Sequence, residues 1–176
     1  MLVLPPGYSR LARWLIILVV WLTTFVIPVL SLVILKFTGN IRSLKLTERK
    51  DRIVPFFYIA MFYGFTAYYF TEQILVTGVA SGIFILAAVI IFLGAIITMF
   101  WQISAHALGV GGAVGMLLMV TLWMPENRFK ERLLVAVLMA GLVMMARLKL
   151  QVHTPAQVYS GFLLGLFVSF MIIFWF

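Results

Sequence analysis

Cysteine is absent from the 176 residues, which removes disulfide frameworks, thiolate nucleophiles and cysteine metal sites together and leaves the redox compartment unmarked. Acidic residues are almost as scarce: five Asp and Glu stand against thirteen Lys and Arg, a formal net charge of +8. Charged residues of both signs make up only 10% of the chain, too few to cover the surface of a soluble domain. An Arg-rich tail and a stacking repeat are also missing. The positive excess therefore points to anionic lipid headgroups or a phosphate-bearing ligand, and nucleic acid is not expected as a partner.

What fills the chain is apolar: 65% of residues are hydrophobic and the mean hydropathy is +1.18. Six apolar stretches stand out, at about 14–35, 53–70, 74–101, 107–124, 133–146 and 158–176. Most approach the ~20 residues that a spanning helix needs. The fifth is shorter, but Arg132 and Arg147 at its ends can snorkel to the interfaces and lengthen its effective span. The first is too long for a signal-peptide core and is read as an uncleaved helix. Trp14, Trp101, Trp123 and Trp175 fall near proposed span ends, where an aromatic belt belongs. The expected architecture is all-α: a polytopic membrane protein with six transmembrane helices bundled in one domain over residues 1–176, with no internal repeat and no separate soluble part.

Consecutive spans alternate direction, so the loops after the first, third and fifth share one face. That face receives Lys36, Arg42, Lys45, Glu48, Arg49, Lys50, Asp51, Arg52, Ser104, His106, Arg147, Lys149 and His153. The opposite face holds Arg10, Arg13, Glu72, Glu126, Arg128, Lys130, Glu131 and Arg132. Both histidines of the chain thus fall beside its densest basic cluster.

Three short segments carry chemistry there. In KLTERKDR, Lys45 and Arg52 lie seven apart, two turns or roughly 10 Å along one face if the segment is helical, and can grip one anion from two sides. In ISAHALGVGG, Ser104 and His106 stand at a helix start, whose N–H groups and dipole favour an anion. In RLKLQVHTPAQ, Arg147 and His153 close the loop before the last span. Three cations, a hydroxyl, a helix N-terminus and two imidazoles suit a tetrahedral oxyanion beside a nucleophile and an acid. Taken singly, each has a plainer reading. The basic loop can be a positive-inside anchor, either histidine a packing or interface residue, and Gly109, Gly111, Gly112, Gly115, Gly161 and Gly165 close helix contacts.

The ordered set resembles the type-2 phosphatidic acid phosphatase superfamily, whose motifs are K-x6-R-P, P-S-G-H and S-R-x5-H-x3-D. Lys45 and Arg52 match the first, with the proline two places late at Pro55. Ser104 and His106 match the second, with Ile103 for Pro and Ala105 for Gly. Arg147 and His153 match the third, with Ala146 for Ser and Gln157 where the family has aspartate. The resemblance implies an integral membrane lipid phosphatase, a metal-independent phosphoric ester hydrolase acting on a lipid phosphomonoester or diphosphate without a cofactor. It implies His153 as nucleophile forming a phosphohistidine and His106 as the acid protonating the leaving oxygen. Gln157 would stand behind His153, with Lys45, Arg52, Ser104 and Arg147 as phosphate ligands. No metal is expected, because the two histidines with Glu48 and Asp51 have no ligand spacing; either acid is a candidate substitute for the missing aspartate. Two other readings remain on the same fold: a non-hydrolytic lipid-phosphate-binding or transport protein, and a lipid-to-lipid phosphotransferase.

The motif-bearing face carries eight Lys and Arg and the other five. With Lys45, Arg52 and Arg147 set aside as ligands, the count is balanced. By resemblance to bacterial relatives, the expected location is the inner membrane, N-terminus in the cytoplasm and site facing the periplasm. The substrate lipid and the oligomeric state are not written in these residues.

Overall fold

A computed structural model describes residues 9–44, 46, 48–72, 78–123 and 127–173. Among these the only regular structure is helical. The chain is an all-α membrane protein, as the apolar runs predict. The first rod, Arg10–Phe37, consists of α1 (Arg10–Trp21), a π-helical turn at Leu22–Val26 and α2 (Ile27–Phe37). Ser9 caps its start, its Oγ accepting from the Ala12 N–H at 3.2 Å. The widened turn precedes Pro28, which has no N–H to offer the carbonyl one turn back. Thr23 and Thr24 turn their hydroxyls onto the Val19 and Val20 carbonyls in the same region. The rod stops at Gly39, whose φ of +75° lets the Gly39 and Asn40 N–H groups double back to the Lys36 and Leu35 carbonyls, a glycine-terminated helix end.

The remaining helices are α3 (Arg49–Glu72), α4 (Gly78–Phe100), α5 (Ala105–Trp123), α6 (Asn127–Lys149) and α7 (Pro155–Ile173). Among the described residues, four segments are long and apolar enough to cross a membrane: Arg10–Phe37, Arg49–Glu72, Ser81–Phe100 and Ala105–Leu122. In α7 the apolar part is the shorter Pro155–Met171. Helix α6 runs well past the apolar stretch 133–146, because its polar ends, Arg128 to Arg132 and Arg147 to Lys149, are wound into it. Large apolar side chains lie open along these helices: Phe37 is 85% exposed, Leu11 69% and Leu134 61%. Such surfaces suit hydrocarbon and not water. Trp14 and Trp101 are exposed near helix ends, whereas Trp175 lies outside the described residues.

The chain forms two compact units, divided between Val89 and Ile90. In the first, Ile16, Ala67, Phe70 and Phe84 make a buried cluster, with the Phe70 and Phe84 rings 5.3 Å apart between centroids.

In the second unit α5 and α7 pack along their whole length. A Cβ on Gly161 would lie 2.9 Å from the Ser104 carbonyl oxygen, and one on Gly165 would run into the Leu108 carbonyl. One on Gly115 would sit 2.7 Å from the Leu166 oxygen, and one on Gly111 would strike the Phe162 carbonyl. Ser169, fully buried, donates to the Gly112 carbonyl across the interface at 2.9 Å. The pairs 104 with 161, 108 with 165 and 112 with 169 keep one constant offset, so the two helices run parallel and in register. Backbone approach of this kind is the use small residues have between membrane helices, where lipid removes the hydrophobic drive. The glycine reading holds for Gly111, Gly112, Gly115, Gly161 and Gly165. It fails for Gly109, where an added Cβ meets nothing within 4 Å, because that position faces away from α7.

Candidate functional site

Parallel packing sets both helix starts at one end of the second unit. The register puts the start of α7 seven residues ahead of that of α5, roughly 10 Å, so the first turn of α7 overhangs the α5 N-terminus. The two are tied there: the Ser104 N–H donates to the Gln157 carbonyl at 3.2 Å. Helix α6 runs back between them in sequence and ends at the same place, with Arg147 and Lys149 in its last turn.

Ser104 is the N-cap of α5. Its Oγ accepts from the Ala107 N–H at 3.4 Å, its carbonyl accepts from Leu108 at 2.9 Å, and the residue is fully buried. Its hydroxyl oxygen therefore already has a structural task, an addition to the phosphate contact the motif implies. His106, the second residue of α5, is exposed at the same end.

Arg147 is part of helix α6 and not of the loop expected there. The loop is only Leu150 to Thr154, and it turns through Gln151, held in the left-handed region at φ 52°. Its N–H donates to the Leu148 carbonyl at 3.0 Å, the place that glycine usually takes at a helix end. The turn folds the chain back so that His153 is 9% exposed. The Arg147 Nε–H is buried and has no acceptor among the described residues, and a donor in that state costs about 1–3 kcal/mol. An anion reaching it would remove that cost.

His153 Nδ1 lies 3.1 Å from Gln157 Oε1. The same oxygen accepts from the Thr154 N–H at 3.2 Å, and the Gln157 N–H returns to Thr154 Oγ1 at 3.4 Å. Thr154-Pro155-Ala156-Gln157 is thus a capping box with proline at the first helical position. The signal was in the sequence, a Thr followed three places on by Gln, but comparison of Gln157 with an aspartate hides it.

The first motif behaves differently from the expectation. Lys45 lies outside the described residues. KLTERKDR is not one helix: α3 begins at Arg49, and Leu46 has φ 49°. The loop before α3 is held by its own side chains. Asp51 accepts from the Arg42 N–H at 3.2 Å, Glu48 pairs with the Arg42 guanidinium at 2.7 Å, and Arg52 Nε donates to the Leu46 carbonyl at 2.6 Å. Two turns of helix from Lys45 to Arg52 are therefore not formed, because these contacts satisfy the chain in a turn. Arg52 and Asp51 are both buried, in the first unit. Both acids considered as substitutes behind His153 are engaged within this loop, and Gln157 contacts the ring.

One end of the second unit thus gathers two helix N-termini, each carrying about half a positive charge, with Arg147, His106, His153 and Gln157. No three His, Asp or Glu side chains come together as metal ligands among the described residues. The arrangement can hold a compact anion against an imidazole.

The family model described as the PAP2 superfamily matches residues 98–176. The match takes in Ser104, His106, Arg147, His153 and Gln157 and ends short of Lys45 and Arg52. No curated protein and no solved structure matches the chain.

Proposed function

We propose, from the match of residues 98–176 to the PAP2 superfamily model, that the protein is an integral membrane lipid phosphatase that hydrolyses a lipid phosphomonoester or diphosphate through a phosphohistidine on His153. The match supports phosphatase-type activity in general. The observation that carries the finer reading is the buried Arg147 Nε–H, without an acceptor among the described residues, at the end where α5 and α7 both begin.

In the proposed reaction the phosphate sits against the α5 N-terminus and Arg147. Ser104 keeps the helix start in place as its cap and gives its hydroxyl hydrogen to a phosphate oxygen. His153 Nε2 attacks phosphorus in line. The N–P bond forms as the P–O bond to the lipid breaks, and His106 gives its proton to the leaving oxygen. Water then attacks phosphorus, His106 takes the proton of that water, and the N–P bond breaks to release inorganic phosphate. Positioning and charge neutralisation are most of what such a transfer requires. The lipid tail lies among the exposed apolar side chains of the helices. Two expectations complete the proposal: a bacterial inner membrane as location, and a site that faces the periplasm.

The neutral Gln157 favours one other reading, a protein that binds lipid phosphates without cleaving them. Purified protein in detergent, given a panel of lipid phosphomonoesters and diphosphates with and without an acceptor lipid, separates the possibilities. Inorganic phosphate released without acceptor is the expected result. Transfer only to the acceptor would make it a phosphotransferase, and binding without turnover a binding or transport protein.

A further inference from the structure

We propose that the capping box at the start of α7 sets the tautomer of His153, so that Gln157 acts as a neutral positioning residue in place of a carboxylate. The inference rests on the reading of His153 as the phosphoryl acceptor.

The Thr154 main-chain N–H can only donate, so the Gln157 amide atom facing it at 3.2 Å must be the oxygen. That oxygen is also the atom 3.1 Å from His153 Nδ1. An amide oxygen only accepts, so Nδ1 carries the hydrogen, and in the neutral ring the lone pair belongs to Nε2. If the amide were turned over, its NH2 would face the Thr154 N–H donor and the cap would be lost. The cap therefore sets the orientation of Gln157, and the ring contact follows it.

Three things follow. The orientation of the amide is fixed by a main-chain N–H, which survives any side-chain substitution at position 154 other than proline. The ring has an acceptor from its own segment in Gln157, while Glu48 is paired with Arg42 and Asp51 accepts the Arg42 N–H. And an acceptor without charge presents the nucleophilic nitrogen as an aspartate would, but stabilises positive charge on the ring less.

The chain has only two histidines, so the imidazole tautomer can be read directly. Protein labelled with 15N in histidine is observed in detergent micelles, above the pH at which the rings are neutral, and the His153 signals are assigned by their loss in His153→Ala. The expected spectrum shows a one-bond N–H coupling at Nδ1 of His153 and none at Nε2. A proton on Nε2 instead would overturn the proposal. Gln157→Glu keeps the box and should keep the proton on Nδ1; its loss from Nδ1 there would also count against it. Gln157→Leu should move the proton towards Nε2 and lower kcat on the order of 10²-fold with KM little changed. Should that variant fail to fold, the wild-type and Gln157→Glu spectra still decide. The tautomer is read without substrate, so an Nδ1–H ring in a protein that hydrolyses no lipid phosphate would reject the proposed function and leave this inference standing. An Nε2–H ring in an active phosphatase would do the reverse.

Discussion

The main-chain N–H of Ser104 and the carbonyl of Gln157 are joined at 3.2 Å, so that the cap of α5 is fastened to the first turn of α7. The two motif segments are held to each other by backbone, and what loosens the helix pair will loosen the site.

The pair itself depends on the absence of side chains. Gly165→Ala puts a methyl group onto the Leu108 carbonyl and within 2.7 Å of the Gly112 nitrogen, neither of which can move alone. We expect a loss of about 1–3 kcal/mol, as for other overpacked contacts, with turnover falling alongside. Gly109→Ala, with nothing within 4 Å, is the matched control and should be no less stable than wild type, since alanine favours the helix. Thermal unfolding in detergent followed by circular dichroism measures both.

Ser104 is expected to matter in two separable ways. Ser104→Ala removes the oxygen that caps Ala107 and should cost about 1 kcal/mol of stability. Ser104→Gly fits the buried position and is nearly as good a cap, so it should recover most of the stability. Phosphate affinity, measured as product inhibition by inorganic phosphate, should remain weakened in both if the hydroxyl also touches the substrate. Full recovery of affinity in Ser104→Gly would reduce Ser104 to a cap.

How much of this could be seen in the sequence depended on which force decided each element. Helix positions followed from apolar run length, which in a membrane is set by bilayer thickness. The glycine stripes were also legible, although membership of the stripe depends on which way a position faces, and that excluded Gly109. Charged ends were misjudged: Arg128 to Arg132 and Arg147 to Lys149 belong to α6, since backbone hydrogen bonding continues where hydropathy stops. The turn before α3 could not be foreseen, because it depends on Arg42 meeting Glu48 and Asp51, partners six and nine residues away. Ser104 and His106 at the start of α5 were predicted, and their attachment to Gln157 was not, for a spacing rule says nothing about contacts between distant segments.

The histidines should divide the labour. His106→Ala is expected to lose about 10²–10⁴ in rate on an alkyl phosphate, the worth of a general acid, and to recover much of it on an aryl phosphate whose leaving group needs little protonation. His153→Ala should lose turnover on both. Equal recovery of the two variants would contradict the assignment.

Orientation can be tested by single cysteines, since the native chain has none. With the site facing the periplasm, an impermeant thiol reagent added to intact cells should label a cysteine at Thr38 and spare one at Asn127. Labelling of Asn127→Cys alone would place the site in the cytoplasm.

The account stands most directly on whether His153 takes up a phosphoryl group. Purified protein is mixed with a lipid phosphate labelled on phosphorus, denatured at alkaline pH where a phosphohistidine survives, and digested for mass spectrometry. We expect acid-labile phosphate on the peptide containing His153, none in His153→Ala, and phosphate release by wild type alone of the two. Release of phosphate with no label on His153, or release undiminished in His153→Ala, would contradict it.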